Sequence, residues 1–325
     1  MFGKMDIGRV MQIFRRGNKK HRRIAAIGMF DGVHRGHRFL IDFLKEEGAK
    51  RSLTPTVVTF ATHPLATVRP DDCPRLLTTV DQKMSLLQEA GIDDCVLLEF
   101  NDSLRRQSAR HFLKRLKNSY AVDALVIGFN HSFGHDHVKG IDAYRAIGGD
   151  VGIEIIAAPE YTGEYAPVSS SIIRKYIDEG NLDQATRALG HWFAVSGTVV
   201  EGNRIGRTLG YPTANLQPDS GMQQLPARGV YAAIVTTDEG ERLGAMVNIG
   251  TRPTVDDGDS QIHIEVHIFD YLSYLYGRRI EVEFVSFMRA EKRYSSLDKL
   301  KSQLSADERH ARQLLQELAS GGCDD

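Results

Sequence analysis

Two glycine-punctuated segments carry imidazole, hydroxyl and amide groups at spacings suited to phosphate chemistry. The first is Gly28-Met29-Phe30-Asp31-Gly32-Val33-His34-Arg35-Gly36-His37. The second is Gly206-Arg207-Thr208-Leu209-Gly210-Tyr211-Pro212-Thr213-Ala214-Asn215. In the first, Gly28 follows the apolar run Ile24–Ile27, so it falls at the carboxyl end of a buried strand, where ligands of open α/β sheets bind. Gly32 and Gly36 allow close backbone approach to an anion, and a helix starting near Gly36 directs its free N–H groups and positive dipole end at it. His34 and His37, three residues apart around that turn, can face one anion and stabilise charge developing on a phosphate during transfer. In the second segment, Gly202, Gly206 and Gly210 suit a phosphate-covering loop. Their spacing is also that of membrane helix packing, but Glu201, Asn203, Arg204 and Arg207 are incompatible with lipid. Pro212 fixes the chain as it enters an extended stretch in which Thr213 and Asn215 share a face. Hard oxygen ligands of this kind suit Mg²⁺ shared with nucleotide phosphates. Together the segments imply two ATP-dependent sites in one polypeptide.

The elements that must position these groups form two series. Apolar runs Arg23–Phe30, Thr56–Phe60, Cys95–Phe100, Ala124–Gly128 and Ile153–Ala157 alternate with helical patterns near Arg38–Lys50, Gln82–Ala90, Ser108–Asn118 and Asp142–Gly148. This alternation predicts a parallel sheet flanked by helices, a Rossmann-like α/β domain. Helices near Ser170–Glu179 and Leu182–Leu189 are expected to close it. After Gly190, Phe193–Glu201, Val230–Thr237, Leu243–Ile249, Gln261–Phe269 and Arg279–Phe287 read as successive strands without intervening helices, which predicts a closed antiparallel β-barrel. A terminal helix over Ser296–Leu318 offers Leu297, Leu300, Leu304, Leu314 and Leu315 for packing on the barrel. The expected division is residues 1–188 and 189–325, with a short linker near Leu189–His191. A chain of 325 residues accommodates two domains at roughly 150 residues each.

Composition narrows the function classes. The formal net charge of −1 gives no overall pull toward nucleic acid or an anionic membrane. Ile24–Ile27 is too short for the apolar core of a secretory signal after the basic stretch Arg15–Arg23. No run approaches the ~18 apolar residues of a membrane span. Cys73, Cys95 and Cys323 have neither metal-site nor disulfide spacing, which fits a reducing cytoplasm. Nothing in the pattern specifies an oligomer or assigns a role to the basic stretch before Arg23.

Two further stretches carry candidate chemistry. In Val168-Ser169-Ser170-Ser171-Ile172-Ile173-Arg174, the serines can cap a helix, and the same turn can receive a phosphate with Arg174 one turn along. In Gln261–Phe269 the alternation places Ile262, Ile264, Val266 and Ile268 on one face and His263, Glu265 and His267 on the other. By pattern alone that polar face is a solvated one.

These motifs, in this order from about Arg23 to Leu318, resemble the prokaryotic bifunctional riboflavin kinase/FAD synthetase family. Its adenylyltransferase module carries the His-x-Gly-His nucleotidyltransferase signature. Thr59-Phe60 with His63-Pro64, Leu76-Leu77-Thr78, and Gly128-Phe129-Asn130 with Phe133-Gly134 resemble its further motifs, the last its flavin-side loop. The resemblance implies ATP binding by Gly28, Phe30, Asp31, Ser169, Ser170 and Ser171 in the first half, with His34, His37 and Arg174 catalytic and Asn130 flavin-side. In the second half it implies ATP binding at Gly202, Gly206, Arg207, Thr213 and Asn215, and Mg²⁺ at Thr213 and Asn215. Glu265 would be the catalytic base, within the Glu265-x-His267-x-Phe269 and Leu275-Tyr276-Gly277 motif. Asn248-Ile249-Gly250, Pro253-Thr254, and Pro226 with Gly229-Val230-Tyr231 match further family motifs. Phe287-Met288-Arg289 matches the segment near the flavin. Arg289 is then either flavin-side or a surface ion pair with Glu291 or Asp298. The chain departs from the family at Ala61-Thr62, where Glu-Pro is usual, at Ser132, where a basic residue is usual, and at His137, where Arg is usual. His131, His135, Asp136 and His137 read either as a metal cluster or as a polar loop over nucleotide or flavin. The substrates implied are riboflavin, FMN and ATP. A flavin or nucleotide sensor without turnover is the competing class, and Glu265, Thr213 and Asn215 argue against it.

Overall fold

A computed structural model describes residues 11–14, 18–128, 133–136, 138–201, 209–253 and 260–321. The chain divides into two units, the first comprising residues 1–74 and 80–168 and the second 75–79 and 169–325.

The first unit is a six-stranded parallel sheet between helices. The strands are β1 (Gln12–Phe14), β2 (Arg23–Ile27), β3 (Thr54–Phe60), β4 (Asp94–Leu98), β5 (Val122–Ile127) and β6 (Glu154–Ala157), in spatial order β1-β4-β3-β2-β5-β6. Helices α1 (Arg35–Arg51), α2 (Pro64–Val68), α3 (Val80–Glu89), α4 (Asp102–Arg105), α5 (Ala109–Tyr120) and α6 (Ile141–Val151) connect them. The central strands are mostly apolar because both faces are covered. Ile24, Ala26, Val57 and Cys95 face one core with Ile41, Leu44, Met84 and Leu87, while Ala25, Val58 and Val96 face the other with Phe112, Leu113 and Leu116. The expected strands and the four longer helices are all present, with ends displaced by a few residues. The basic stretch before Arg23 also acquires a structural role. Edge strand β1, just ahead of it, pairs with β4, and Asn18 and His21 within it offer carbonyls to the fully buried Arg23 guanidinium. That guanidinium also binds Asp94 and the Tyr120 carbonyl and stacks over Phe14.

The second unit is a closed barrel of β7 (Phe193–Val200), β8 (Ala214–Pro218), β9 (Gly229–Thr237), β10 (Arg242–Pro253), β11 (Ser260–Ile268) and β12 (Arg279–Arg289). Around the barrel the order is β10-β11-β8-β7-β12-β9. Alternate residues Val247, Ile249, Ile264, Val266 and Leu216 are buried, as the taper of a small barrel requires. Helices α7 (Ser170–Asp178) and α8 (Leu182–Leu189), expected from the sequence to close the α/β domain, group with this unit, and α8 packs on β7 and β12.

The terminal helix α9 (Leu297–Gly321) lies on the barrel's outer face. Ala311, Leu304, Leu314 and Leu315 meet Ala232, Met246, Phe269 and Met288. Leu297, expected among the packing residues, is 61% exposed because the contact begins a turn or more further on.

Candidate active sites

In the first unit, β2 ends at Ile27, and the chain reverses through residues with positive φ: Phe30 at 49°, Gly32 at 79° and Val33 at 37°. Such angles suit glycine but strain a phenylalanine and, still more, a β-branched valine. The Phe30 and Val33 side chains are fully buried and anchor the turn in the core. His34 then caps α1, its Nδ1 accepting the His37 N–H at 3.3 Å. That bond places the proton of a neutral His34 on Nε2, ready to donate. The rings of His34 and His37 stack at 3.6 Å between centroids, inclined by 15°. A Cβ on Gly36 would sit 3.3 Å from the His34 ring, so glycine makes room for this stack. Burial, then the neighbouring His34 and Lys83, holds the His37 imidazole well below its ordinary value. Its Nδ1 is buried without a hydrogen-bond partner. The His37 imidazole is therefore held neutral beside a helix N-terminus, where a neutral ring can still donate an N–H to a phosphate.

A cleft of about 680 Å³ opens at the carboxyl ends of β2 and β3. Met29, Phe60, Phe100, Phe112 and Phe133 supply aromatic and apolar walls, and Arg105 and Arg106 also line it. Phe133 is held by Tyr144, whose hydroxyl binds both its backbone N–H and its carbonyl at 2.9 Å. A flat aromatic ligand with an anionic tail matches this cleft. Gly28 lines it, while the buried Phe30 side chain supports the His37 ring at 5.0 Å. Asp31 is 2% exposed. Asp136 accepts the Ala109 N–H at 2.9 Å, at the start of α5. Among the described residues no group of three or more His, Cys, Asp or Glu could hold a metal ion. Asn130, Ser132, His131 and His137 lie outside the described residues.

Ser169 caps α7, its hydroxyl accepting the Ile172 N–H at 3.3 Å. Ser170 and Ser171 form the first turn, and Arg174 donates its Nε–H to the Arg75 carbonyl at 2.6 Å. These four residues belong to the second unit.

On the barrel, strand pairing brings sequence-distant groups into one row. Arg289 on β12 pairs with Val230 on β9, Val230 with Asn248 on β10, and Asn248 with Glu265 on β11. Glu265 pairs with Asn215 on β8, and Asn215 with Val200 on β7. Directly paired residues project from the same face, so Glu265, Asn215 and Asn248 are neighbours although 33 residues or more separate Asn215 from the others. Thr213 immediately precedes β8. A cleft of about 410 Å³ beside it is lined by Pro212, Ala214, Val266, Ile268 and the segment from Tyr271 to Tyr276. The hydroxyl and amide oxygens of Thr213 and Asn215, with no carboxylate cluster beside them among the described residues, suit a cation that arrives already bound to phosphate. Gly202, Gly206 and Arg207 lie outside the described residues.

Two residues in or beside the row differ from the sequence expectations. Arg289 pairs with neither Glu291 nor Asp298. It grips Asp307 of α9 through Nε at 2.9 Å and Nη2 at 2.6 Å, and Asp307 is 4% exposed. His267, expected on a solvated face, is 8% exposed because Tyr211 and Phe269 pack against its ring and the Pro212 carbonyl lies 2.8 Å from its Nδ1. Asn248 binds Glu291 at 3.3 Å. Its motif was visible in the sequence, but its place beside Glu265 follows only from strand register.

Comparison with known proteins bears on both units. The model of the riboflavin kinase family matches residues 189–315, and that of FAD synthetase matches residues 17–172. A bifunctional riboflavin kinase/FMN adenylyltransferase of Escherichia coli K12 is 37% identical over 291 residues, covering 89% of this chain and 92% of the relative. The protein of that name from Pseudomonas fluorescens is 36% identical over 292 residues, covering 90% and 92%. A crystal structure described as a macrolide-efflux protein from Streptococcus pneumoniae superposes with a TM-score of 0.83 at 28% identity, covering 93% of this chain and 99% of that one. No helix among the described residues is long and apolar enough to cross a membrane. With both units matched and near-complete overlap with the curated relatives, the chain belongs to the bifunctional riboflavin kinase/FMN adenylyltransferase family.

Proposed function

We propose that the second unit phosphorylates riboflavin to FMN and that the first adenylylates FMN to FAD, each with ATP. The observation that carries the reading is the row across the barrel, where a candidate base lies between two amides and next to the expected phosphate-binding strand. In the kinase step, the primary hydroxyl of riboflavin attacks the γ-phosphorus, the bond to the β,γ-bridging oxygen breaks, and ADP leaves. Glu265 orients the hydroxyl and accepts its proton. Thr213 and Asn215 would hold Mg²⁺, which would supply neutralisation of the phosphate charge. The family resemblance also assigns ATP binding to Gly202, Gly206 and Arg207. Arg289, clamped to Asp307, fixes the flavin side of the row.

In the adenylyl step, an FMN phosphate oxygen attacks the α-phosphorus of ATP and pyrophosphate leaves. His34 and His37 donate to the reacting phosphate. Gly28, Phe30 and Asp31 shape the nucleotide turn, and the aromatic cleft with Asn130 takes the flavin. We place the functional boundary at 188/189 and the protein in the cytoplasm, acting on small molecules alone. Neither step needs a covalent enzyme intermediate; positioning and electrostatics suffice.

The test separates the sites. Glu265→Gln is expected to stop FMN formation while FAD still forms from added FMN. A His34→Ala, His37→Ala double variant is expected to make FMN and no FAD. Unchanged FAD output from the double variant would remove the histidines from the mechanism.

A further inference from the structure

Lys83 is a buried cation that neither proposed step uses. It sits on α3 and is 4% exposed. Its ammonium donates to the Phe60 carbonyl at 2.8 Å, the Met29 carbonyl at 3.2 Å and the Thr59 hydroxyl at 3.2 Å. Thr59 in turn donates to Met29 at 3.0 Å. These acceptors belong to two different places, the turn leaving β2 and the carboxyl end of β3.

We propose that Lys83 is a positioning residue for adenylyl transfer, a role that rests on assigning that reaction to the first unit. Its ammonium ties the exit of β2 to the end of β3, and so holds both the turn that presents His34 and two walls of the aromatic cleft. The turn needs such a tie. Phe30 and Val33 occupy positive φ, a conformation that persists only where surrounding bonds over-determine it. The Val33 N–H to Phe30 carbonyl bond at 3.2 Å closes the turn on itself but does not attach it to the sheet. The Gly28 N–H to Val58 carbonyl bond at 3.1 Å attaches the start of the exit to β3, and Lys83 and Thr59 attach the next residue, Met29. Met29 and Phe60, whose carbonyls Lys83 binds, both line the cleft.

Three N–H groups meet three acceptors, so the ammonium has no donor left for substrate. The role is therefore one of geometry, not contact. It also requires the charged form, because a neutral amine has two N–H groups and turns a lone pair toward a third oxygen. Burial brings Lys83 down to about 8, with the charge of Asp31 on the turn opposing the shift. His37 on α1 is the other titratable group coupled to it. Burial pushes the Cys95 thiol up to about 12, so it stays neutral across this range.

The experiment measures FAD formation from FMN and FMN formation from riboflavin on the same full-length preparations, across the pH range around 8. Wild-type FAD formation is expected to fall on the alkaline side of about 8. Lys83→Met is expected to lose about tenfold or more in kcat for FAD formation at neutral pH, as small misplacements near reacting atoms do. It should also lose the alkaline fall and keep the wild-type kinase rate. Lys83→Arg, which holds its charge, is expected to retain measurable FAD formation with the alkaline fall moved upward. A wild-type rate in Lys83→Met overturns the proposal. So does an alkaline fall left in place by Lys83→Arg, the variant that decides the question if Lys83→Met does not fold. Failure of the wild-type protein to make FAD from FMN would instead overturn the assignment of the reaction itself.

Discussion

At Glu265 strand pairing sets the carboxylate beside Asn215 on one side and Asn248 on the other. Glutamine there keeps shape and hydrogen bonding but removes the base, so FMN formation should fall by about 10²–10⁴-fold, the usual range for a general base. Initial rates with riboflavin and ATP measure it, and a loss of less than about tenfold would make Glu265 a structural residue. His37 gives a prediction of a different kind. Its folded pKa is held below the ordinary value of 6.5, so the unfolded chain binds the proton first as pH falls. The unfolded state then carries more protons than the native one, and stability drops as the solution is acidified below that value. The contribution is complete above 6.5 and shrinks by up to about 1.4 kcal/mol per pH unit below it. Denaturant unfolding of the wild type and of His37→Gln at neutral and mildly acid pH isolates this contribution. Equal acid sensitivity in both would show that His37 titrates normally.

Among the elements, α9 and the barrel are joined by an apolar seam and one buried ion pair. Asp307 accepts three hydrogen bonds from Arg289 and one from Gln303. Asp307→Asn should cost about 1–3 kcal/mol, because a charged donor keeps a poorer partner. Asp307→Asn combined with Arg289→Met should cost less than the sum of the two, since each breaks the same pair. Additive losses would contradict the clamp. Most strands were legible in the sequence because burial on two faces, or alternation on one, leaves a direct mark on residue type. Strand β1 was not, since three residues are too few to show a periodicity and pair only at the sheet edge. Helices α2 and α4 are single turns whose caps, His63 and Asn101, show no apolar stripe. The His34 and His37 site was legible because its groups lie in one short segment. The row through Arg289, Asn248, Glu265 and Asn215 was not, because register belongs to pairs of strands. Lys83 did leave a mark: Val80, Lys83, Met84 and Leu87 follow helical apolar spacing, and a lysine on that stripe must find buried acceptors.

For the whole molecule, two units each bring together groups fitted to phosphate transfer, and together they match relatives that carry both activities. FMN is the product of one step and the substrate of the other, so the sequence of reactions needs no further enzyme between riboflavin and FAD. The departures at Ala61-Thr62 leave the aromatic cleft and the histidine stack in place. The most direct measurement incubates the purified protein with riboflavin, ATP and Mg²⁺ and separates the flavins over time. FMN should appear first and then give way to FAD, and the reaction started from FMN should yield FAD alone. FMN that accumulates without FAD, including when FMN is the starting flavin, would contradict the adenylyl-transfer site, and the absence of any product would contradict both.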